Sequence, residues 1–264
     1  MHCKQILSKP HDEHPYGTSL YCNDKVTLNL VPHRDLILKN YEIFMDFTVD
    51  ALETHHKDAS DLTRLKNKIH SLRSKGLDVS KISPYPRSDS VRKANFAEVV
   101  LAEYLKATTG SILPIYKLRY NPNRNQSMKG DDTLLFDLDS DPIRIIVGEA
   151  KFRKTSSKQA VTEIISGLIR SEKDLLPTSL IFVSDMLYKE GKDELGGKVL
   201  NCVDMILEDK INIEYVGFLL SDEKASERVK EHATELRNLL MISLGQQSPE
   251  KMVYEAFEQL EAKL

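Results

Sequence analysis

The chain has 264 residues, which fits one large domain or two small ones at about 150 residues per domain. Its 37 basic and 40 acidic residues give a formal net charge of −3, which excludes a histone-like polycation but not a locally basic surface for nucleic acid. Three widely spaced cysteines exclude a disulfide scaffold and favour a reducing, cytoplasmic location. No apolar run approaches the ~18 residues of a membrane span, so we expect no membrane association.

The first ninety residues are predicted to be an N-terminal addition, a candidate partner-binding segment, that precedes a core spanning residues 91–264. Length favours a helix over Asp35–His56, although its dense apolar residues also fit a strand. A second, solvated helix is predicted over Asp61–Ser74 and should end at Gly76. Two prolines within Ser83–Ser90 indicate a linker that leads into the core.

From residue 91 onward the pattern is that of a mixed α/β core. A helix over Val91–Ala107, closed by Gly110, is apolar around nearly its whole circumference, which predicts burial on several sides. The remaining predicted elements are strands at Ile112–Tyr120, Thr133–Leu138 and Ile143–Lys151, a helix at Ser157–Leu176, a strand at Leu180–Ser184, a helix at Gly197–Glu208, a strand at Ile213–Leu220 and, from Glu223 onward, two helices separated near Ser248-Pro249. The turn residues Asp139–Pro142 predict a hairpin between two of these strands. This order predicts an α/β (α+β) fold, in which helices flank a mixed central sheet.

The predicted strand Ile143–Lys151 is apolar at first and then ends in charge. Residues two apart on a strand share a face, so Val147, Glu149 and Lys151 should point the same way. A carboxylate and an ammonium on a buried face are costly if unpaired, which favours a functional over a packing role. Asp132 opens the neighbouring strand of the hairpin, so its carboxylate should lie beside Glu149.

Two carboxylates and the backbone carbonyl of Ala150 offer the oxygen ligands that a hard divalent cation takes together with water and phosphate oxygens. We therefore expect Asp132 and Glu149 to hold Mg²⁺ or Mn²⁺, and Lys151 to orient the attacking water or offset charge on the phosphate. Asp131 precedes Asp132 and should project to the opposite face, so one of the two reaches the site; Asp132 is favoured.

These residues resemble the signature of the PD-(D/E)XK nuclease superfamily, an aspartate at a strand start followed by Glu-X-Lys on the next strand. The resemblance implies a restriction-endonuclease-like core and metal-dependent hydrolysis of phosphodiester bonds in DNA, with Asp132, Glu149 and Lys151 as catalytic residues. It also implies a glutamate from the preceding helix. Glu98 is the candidate for that role, and Glu103 on the same helix is the alternative.

More narrowly, the chain resembles the HamA family, the nuclease subunits of Hachiman anti-phage defence. The resemblance lies in the overall length and in the segments Asn95–Leu105, Gly130–Phe136 and Gly148–Phe152. It implies a DNA endonuclease controlled by a superfamily 2 helicase partner. A rival hypothesis from another class is a non-catalytic DNA- or helicase-binding subunit that retains a nuclease fold. The residues alone do not distinguish DNA from RNA.

Basic residues flank the predicted site on both sides. Lys129 ends a stretch, Lys117–Lys129, that contains no acidic residue, and Arg153, Lys154 and Lys158 follow the Glu-X-Lys segment closely. We expect these four side chains to bind phosphates, which position a nucleic acid without reading its sequence. No sequence-reading module is recognisable, so little base specificity is expected.

Overall fold

The computed structural model describes residues 3–79 and 82–264, and its centre is a mixed six-stranded sheet with the strand order β1-β2-β6-β5-β4-β3. The strands are β1 (Leu20–Val26), β2 (Pro32–Leu38), β3 (Thr133–Asp137), β4 (Ile143–Phe152), β5 (Ile211–Ser221) and β6 (Leu239–Gly245). The four inner strands run parallel, and β1 and β3 pair antiparallel at the two edges. This architecture confirms the predicted α/β (α+β) class.

Helices cover both faces of the sheet. They are α1 (Cys3–Ile6), α2 (Pro15–Ser19), α3 (Tyr41–His56), α4 (Ala59–Arg73), α5 (Asp89–Thr109), α6 (Lys158–Arg170), α7 (Leu176–Lys189), α8 (Asp193–Leu207), α9 (Ala225–His232) and α10 (Pro249–Ala262). Helices α3, α5 and α10 pack in one buried cluster, and α6 to α9 pack in a second. Strand β4 belongs to both clusters: Ile146 and Ala150 face the first, whereas Ile145 and Val147 face the second. Burial on both faces explains why its apolar stretch shows no polar alternation.

The N-terminal ninety residues contribute to the same sheet. Strand β2 pairs in parallel with β6, in a register that places Arg34 opposite Ile242. The division near residue 90 therefore stays a prediction about function, because the sheet is continuous across it. The predicted helix at Asp35–His56 is in fact the end of β2 followed by α3, which Asn40 caps by accepting a hydrogen bond from the Ile43 amide. Helix α4 confirms the predicted second helix, with Asp58 as its N-cap.

Two predicted strands are wrong. The stretch Ile112–Tyr120 forms one isolated bridge, between Ile112 and Phe136, and then a 3₁₀ turn at Lys117–Tyr120. Pro114 lies in the middle of this stretch and has no N–H to donate to a ladder, which accounts for the failure. The apolar run Leu180–Ser184 lies within α7, since a short apolar run has no period that separates a strand from a buried helix.

The C-terminal tail contains a strand that the sequence analysis assigned to a helix. Strand β6 lies between α9 and α10 and pairs with both β2 and β5. A central parallel strand is apolar on both faces and therefore lacks the alternation that identifies strands. Within residues 3–79 and 82–264, no helix is long and apolar enough to cross a bilayer.

The predicted hairpin of β3 and β4 is confirmed, with Thr133 opposite Gly148 and Asp137 opposite Arg144. Helix α5 precedes it and packs against β4, so closely that a Cβ on Gly148 would lie 2.9 Å from the Leu101 side chain. The helix ends at Gly110, whose φ of 69° is in the left-handed region that glycine adopts at helix ends. Hairpin and helix together hold the residues of the candidate site.

Candidate active site

Asp132 and Glu149 lie at the open end of the β3–β4 hairpin. The last registered pair is Thr133 with Gly148, so Asp132 and Glu149 occupy the next step outward. Asp132 Oδ2 accepts a hydrogen bond of 2.9 Å from the Ala150 amide, and Glu149 Oε1 accepts one of 2.5 Å from Lys151 Nζ. The Glu149 and Lys151 side chains are 13% and 28% exposed. The structure thus brings three of the predicted catalytic residues together in a partly enclosed position.

Helix α5 adds Glu98 to this group. Glu98 lines the same cleft as Asp132, Glu149 and Lys151. Glu103 lies elsewhere, where its carboxylate accepts hydrogen bonds from His55 Nε2 at 2.8 Å and from Lys106. Between the two candidate glutamates, the geometry therefore favours Glu98.

The carboxylates of the site crowd one another. Burial and the charge of Asp132 raise the pKa of Glu98 to about 8 and that of Glu149 to about 7. Burial also raises the pKa of Asp132, although Lys117 and Lys151 oppose the rise. For Lys151, the attraction of Glu149 and Asp132 outweighs burial, so the pKa of the ammonium is raised. The pKa values of all three carboxylates stay raised despite the nearby lysines, so it is unfavourable to ionise them together, and a bound cation would favour their ionised forms.

The donor set fits a hard divalent cation that keeps water and phosphate ligands. In the described ranges, no three His, Cys, Asp or Glu side chains are arranged to enclose a metal ion by themselves. Two carboxylates suffice for Mg²⁺, which keeps several waters and commonly binds substrate phosphates as well. The amide of Ala150 points at Asp132 and not at a neighbouring strand, and the carbonyl of a strand residue points to the same side as its amide. Asp132, Glu149 and the Ala150 carbonyl therefore offer three oxygen donors on one side of the hairpin.

The two adjacent aspartates make different hydrogen bonds, although both line the cleft. The Asp132 carboxylate accepts from the Ala150 amide on β4, whereas the backbone amide of Asp131 donates to Ser179 Oγ on α7 at 3.3 Å. Asp131 is only 7% exposed, and its Oδ2 makes no hydrogen bond with any described residue. Gly130 precedes the pair with a φ of 97°, a left-handed conformation that turns the chain into β3.

Helix α6 supplies two residues that the sequence analysis missed. A Cβ on Gly167 would lie 2.7 Å from Glu149 Cδ, so glycine allows the helix to approach the carboxylate. Arg170, three residues later and thus on the same helix face, lines the cleft and weakly opposes the rise in the pKa of Glu149. A glycine inside a helix destabilises that helix by about 1 kcal/mol relative to alanine. Its presence in the middle of a predicted helix was therefore the sequence signal for a close contact at this position.

A groove runs past the site on both sides of Glu149. One cleft, of about 700 Å³, lies towards α5 and the segment before β3, and another, of about 670 Å³, lies along α6. Glu149, Lys151 and Arg170 line both clefts, so the two form one continuous groove.

The four predicted phosphate-binding residues lie along this groove, but two of them have acidic partners. Lys129 is exposed at the α5 side and Lys158 is exposed at the α6 side. Arg153 pairs with Glu163, and Lys154 Nζ lies 2.9 Å from Glu250 Oε2. Lys117 is a further basic residue of the site, and it donates to the carbonyl oxygen of Asp131 at 2.7 Å.

Comparison with known proteins places the chain among its relatives. A family model described as HamA matches residues 4–260. The chain is 39% identical over 181 residues to the Hachiman protein HamA of Bacillus cereus. That alignment covers 68% of this chain and 65% of the relative, slightly under two thirds of the relative's length. Because the family model covers nearly the whole sequence, the chain belongs to the HamA family.

Proposed function

We propose that this protein is a metal-dependent DNA endonuclease with a PD-(D/E)XK active site, acting as an effector in anti-phage defence. The observation that carries the proposal is the convergence of Glu98, Asp132 and Glu149 with Lys151 at the end of one hairpin, inside a groove. The defence role rests on the relative's name, Hachiman protein HamA.

In this proposal the side chains have distinct tasks. Asp132 and Glu149 would hold Mg²⁺ or Mn²⁺, an ion that would polarise the phosphate as a Lewis acid and lower the pKa of the attacking water. Lys151, whose pKa is raised by its acidic neighbours, stays protonated at neutral pH. It therefore donates hydrogen bonds to water or to a phosphate oxygen and offsets developing charge; it is not a base. Glu98, with a pKa of about 8, carries a proton at pH 7 and can release it when a cation arrives.

The groove is the proposed path of the nucleic-acid backbone. Lys129 and Lys158 are exposed at its two ends, and Arg170 lies beside Glu149 between them. Arg153 and Lys154 would exchange their partners Glu163 and Glu250 for phosphates, an exchange that is inexpensive because exposed ion pairs contribute only about 0–1 kcal/mol.

The test is cleavage of labelled single-stranded DNA, duplex DNA and RNA by the purified chain, in Mg²⁺, Mn²⁺ or EDTA. We expect cleavage of DNA that EDTA abolishes, and a loss of about a hundredfold or more in Lys151→Ala and Glu149→Ala.

The chain offers a matched control in Glu208 and Lys210, a second Glu-X-Lys pair, whose side-chain nitrogen and oxygen lie 2.6 Å apart on the surface at 56% and 64% exposure. Glu208→Ala and Lys210→Ala should cleave at the wild-type rate. DNA binding without cleavage by the folded wild-type chain in either metal would overturn the proposal and support the non-catalytic subunit.

We also propose a superfamily 2 helicase as the partner that restrains or targets this nuclease. The supporting argument is physical: phosphate contacts position DNA without selecting a sequence, so control must come from elsewhere. Co-expression with a helicase encoded beside this chain should give one peak on size exclusion. Separate elution at micromolar concentration would contradict a stable complex.

A further inference from the structure

A second cavity opens directly beside the candidate site. It has a volume of about 370 Å³ and lies between α5, α7 and the segments that precede β3. Its walls are largely apolar and include Val99, Ala102, Ile115, Leu134, Phe182 and Val183. Small ligands are typically held in cavities of about this size, where apolar walls surround a few polar groups that fix orientation.

Two buried side chains of this cavity, Asp131 and Thr133, each have one polar atom without a hydrogen-bond partner among the described residues. Asp131 lines it, is 7% exposed, and has an Oδ2 that makes no hydrogen bond within the described chain. Thr133, 3% exposed, also lines the cavity and has a buried hydroxyl without a partner there. Unpaired buried polar groups cost free energy, so a ligand that brings a hydrogen-bond donor to Asp131 would relieve part of that cost.

The cavity and the catalytic cleft share a wall. Glu98, Lys129 and Asp132 line both, together with Gly130 and Asp131. Asp131 and Asp132 are consecutive residues that each line both the cavity and the cleft, so the two sites adjoin. A nucleotide whose phosphate lies at Asp132 and Glu149 would therefore reach the cavity with its base.

We propose that this cavity binds one unstacked base of the DNA next to the cleaved phosphate, and that it prefers guanine. The proposal rests on the nuclease function proposed above. An ionised carboxylate only accepts hydrogen bonds, and the Watson–Crick edge of guanine offers two adjacent N–H donors to one carboxylate. Thymine offers one N–H between two carbonyl oxygens, which the Asp131 carboxylate would repel.

A base can enter the cavity only after it leaves the helical stack, a step that is least costly in single-stranded DNA. The proposed pocket would thus give the protein a preference for one base and for single-stranded DNA, whereas the phosphate contacts of the groove do not depend on sequence.

The experiment measures binding without cleavage. Fluorescence anisotropy in Ca²⁺ in place of Mg²⁺ compares an eight-nucleotide thymine strand with the same strand carrying one central guanine, for the wild-type chain and three variants. Asp131→Asn removes the charge that reads the base. Thr178→Trp places a large ring at the exposed mouth of the cavity, and Ile181→Trp, on the same helix but outside the cavity lining, is its control.

We expect the guanine strand to bind the wild-type chain and Ile181→Trp about tenfold more tightly than the thymine strand. In folded Asp131→Asn and Thr178→Trp that preference should fall to twofold or less. Equal binding of the two strands by the wild-type chain, or a full preference retained in Asp131→Asn, would overturn the inference. The guanine preference is measured as binding in Ca²⁺, so it can hold when cleavage in Mg²⁺ fails, and it can fail when cleavage succeeds.

Discussion

Removing the charge of Glu149 should stabilise the metal-free protein while it abolishes cleavage. Glu149→Gln keeps the shape of the side chain and an oxygen that accepts the hydrogen bond from Lys151. It removes a carboxylate that is 13% exposed and lies beside Asp132. Functional sites commonly contain such destabilising features, because binding a ligand or ion relieves them.

The expected gain in the free energy of unfolding follows from the pKa of Glu149, which burial and Asp132 raise from its usual value near 4.5 to about 7. The folded chain then binds this proton more tightly than the unfolded chain, so the free energy of unfolding falls as the pH rises from about 4.5 to about 7. At about 1.4 kcal/mol per tenfold change in proton affinity, the ionised carboxylate costs about 3 kcal/mol at pH 8 and about 1 kcal/mol at pH 5. In a chain of this size, 3 kcal/mol corresponds to roughly 6 °C in melting temperature.

The assay is thermal unfolding in EDTA at pH 8 and pH 5, followed by circular dichroism. Glu149→Gln should melt about 6 °C above the wild-type chain at pH 8, and the gain should shrink to about 2 °C at pH 5. The control Glu208→Gln removes an exposed acid that pairs with Lys210, so its melting temperature should stay within about 1 °C of the wild type.

Addition of Mg²⁺ at pH 8 should raise the melting temperature of the wild-type chain and leave Glu149→Gln nearly unchanged. A Glu149→Gln protein that melts below the wild-type chain at pH 8 in EDTA would contradict this prediction, because it would show that Lys151 and Arg170 already neutralise the site.

Two further predictions concern neighbours of the site. Gly167→Ala would place a Cβ 2.7 Å from Glu149 Cδ and displace the carboxylate. Cleavage of labelled DNA should therefore fall at least tenfold, while the melting temperature stays the same. An unchanged cleavage rate would contradict the close approach of α6 to Glu149. Burial lowers the pKa of His56 to about 4, so the unfolded chain takes up this proton first and stability is lost as the pH falls from about 6.5 to about 4. Urea unfolding should therefore show a shallower acid loss in His56→Gln than in the wild-type chain, by up to about 1.4 kcal/mol per pH unit, and equal slopes would contradict the assignment.

Several elements could be predicted because their signals in the sequence are local. The hairpin of β3 and β4 follows from two short apolar runs and a turn, and the position of Glu149 and Lys151 follows from the period of two along β4. Helix α5 follows from its apolar circumference and from Gly110 at its end. These features need only neighbouring residues, so they could be predicted without knowledge of the tertiary contacts.

The strands β2 and β6 could not be identified without the tertiary structure. A strand that distant helices bury on both faces lacks the alternation of polar and apolar residues that marks a strand in the sequence. The same holds for the partners within the site. Glu98 and Glu103 lie on one helix but have different neighbours. Glu98 lines the cleft with the hairpin residues, whereas the Glu103 carboxylate accepts a hydrogen bond from His55. Arg170 reaches Glu149 because Gly167 allows α6 to pack closely on β4. Local patterns in the sequence fix the conformation of each segment, but the neighbours of a charged side chain, and hence its pKa and its chemistry, come from segments far away in the chain.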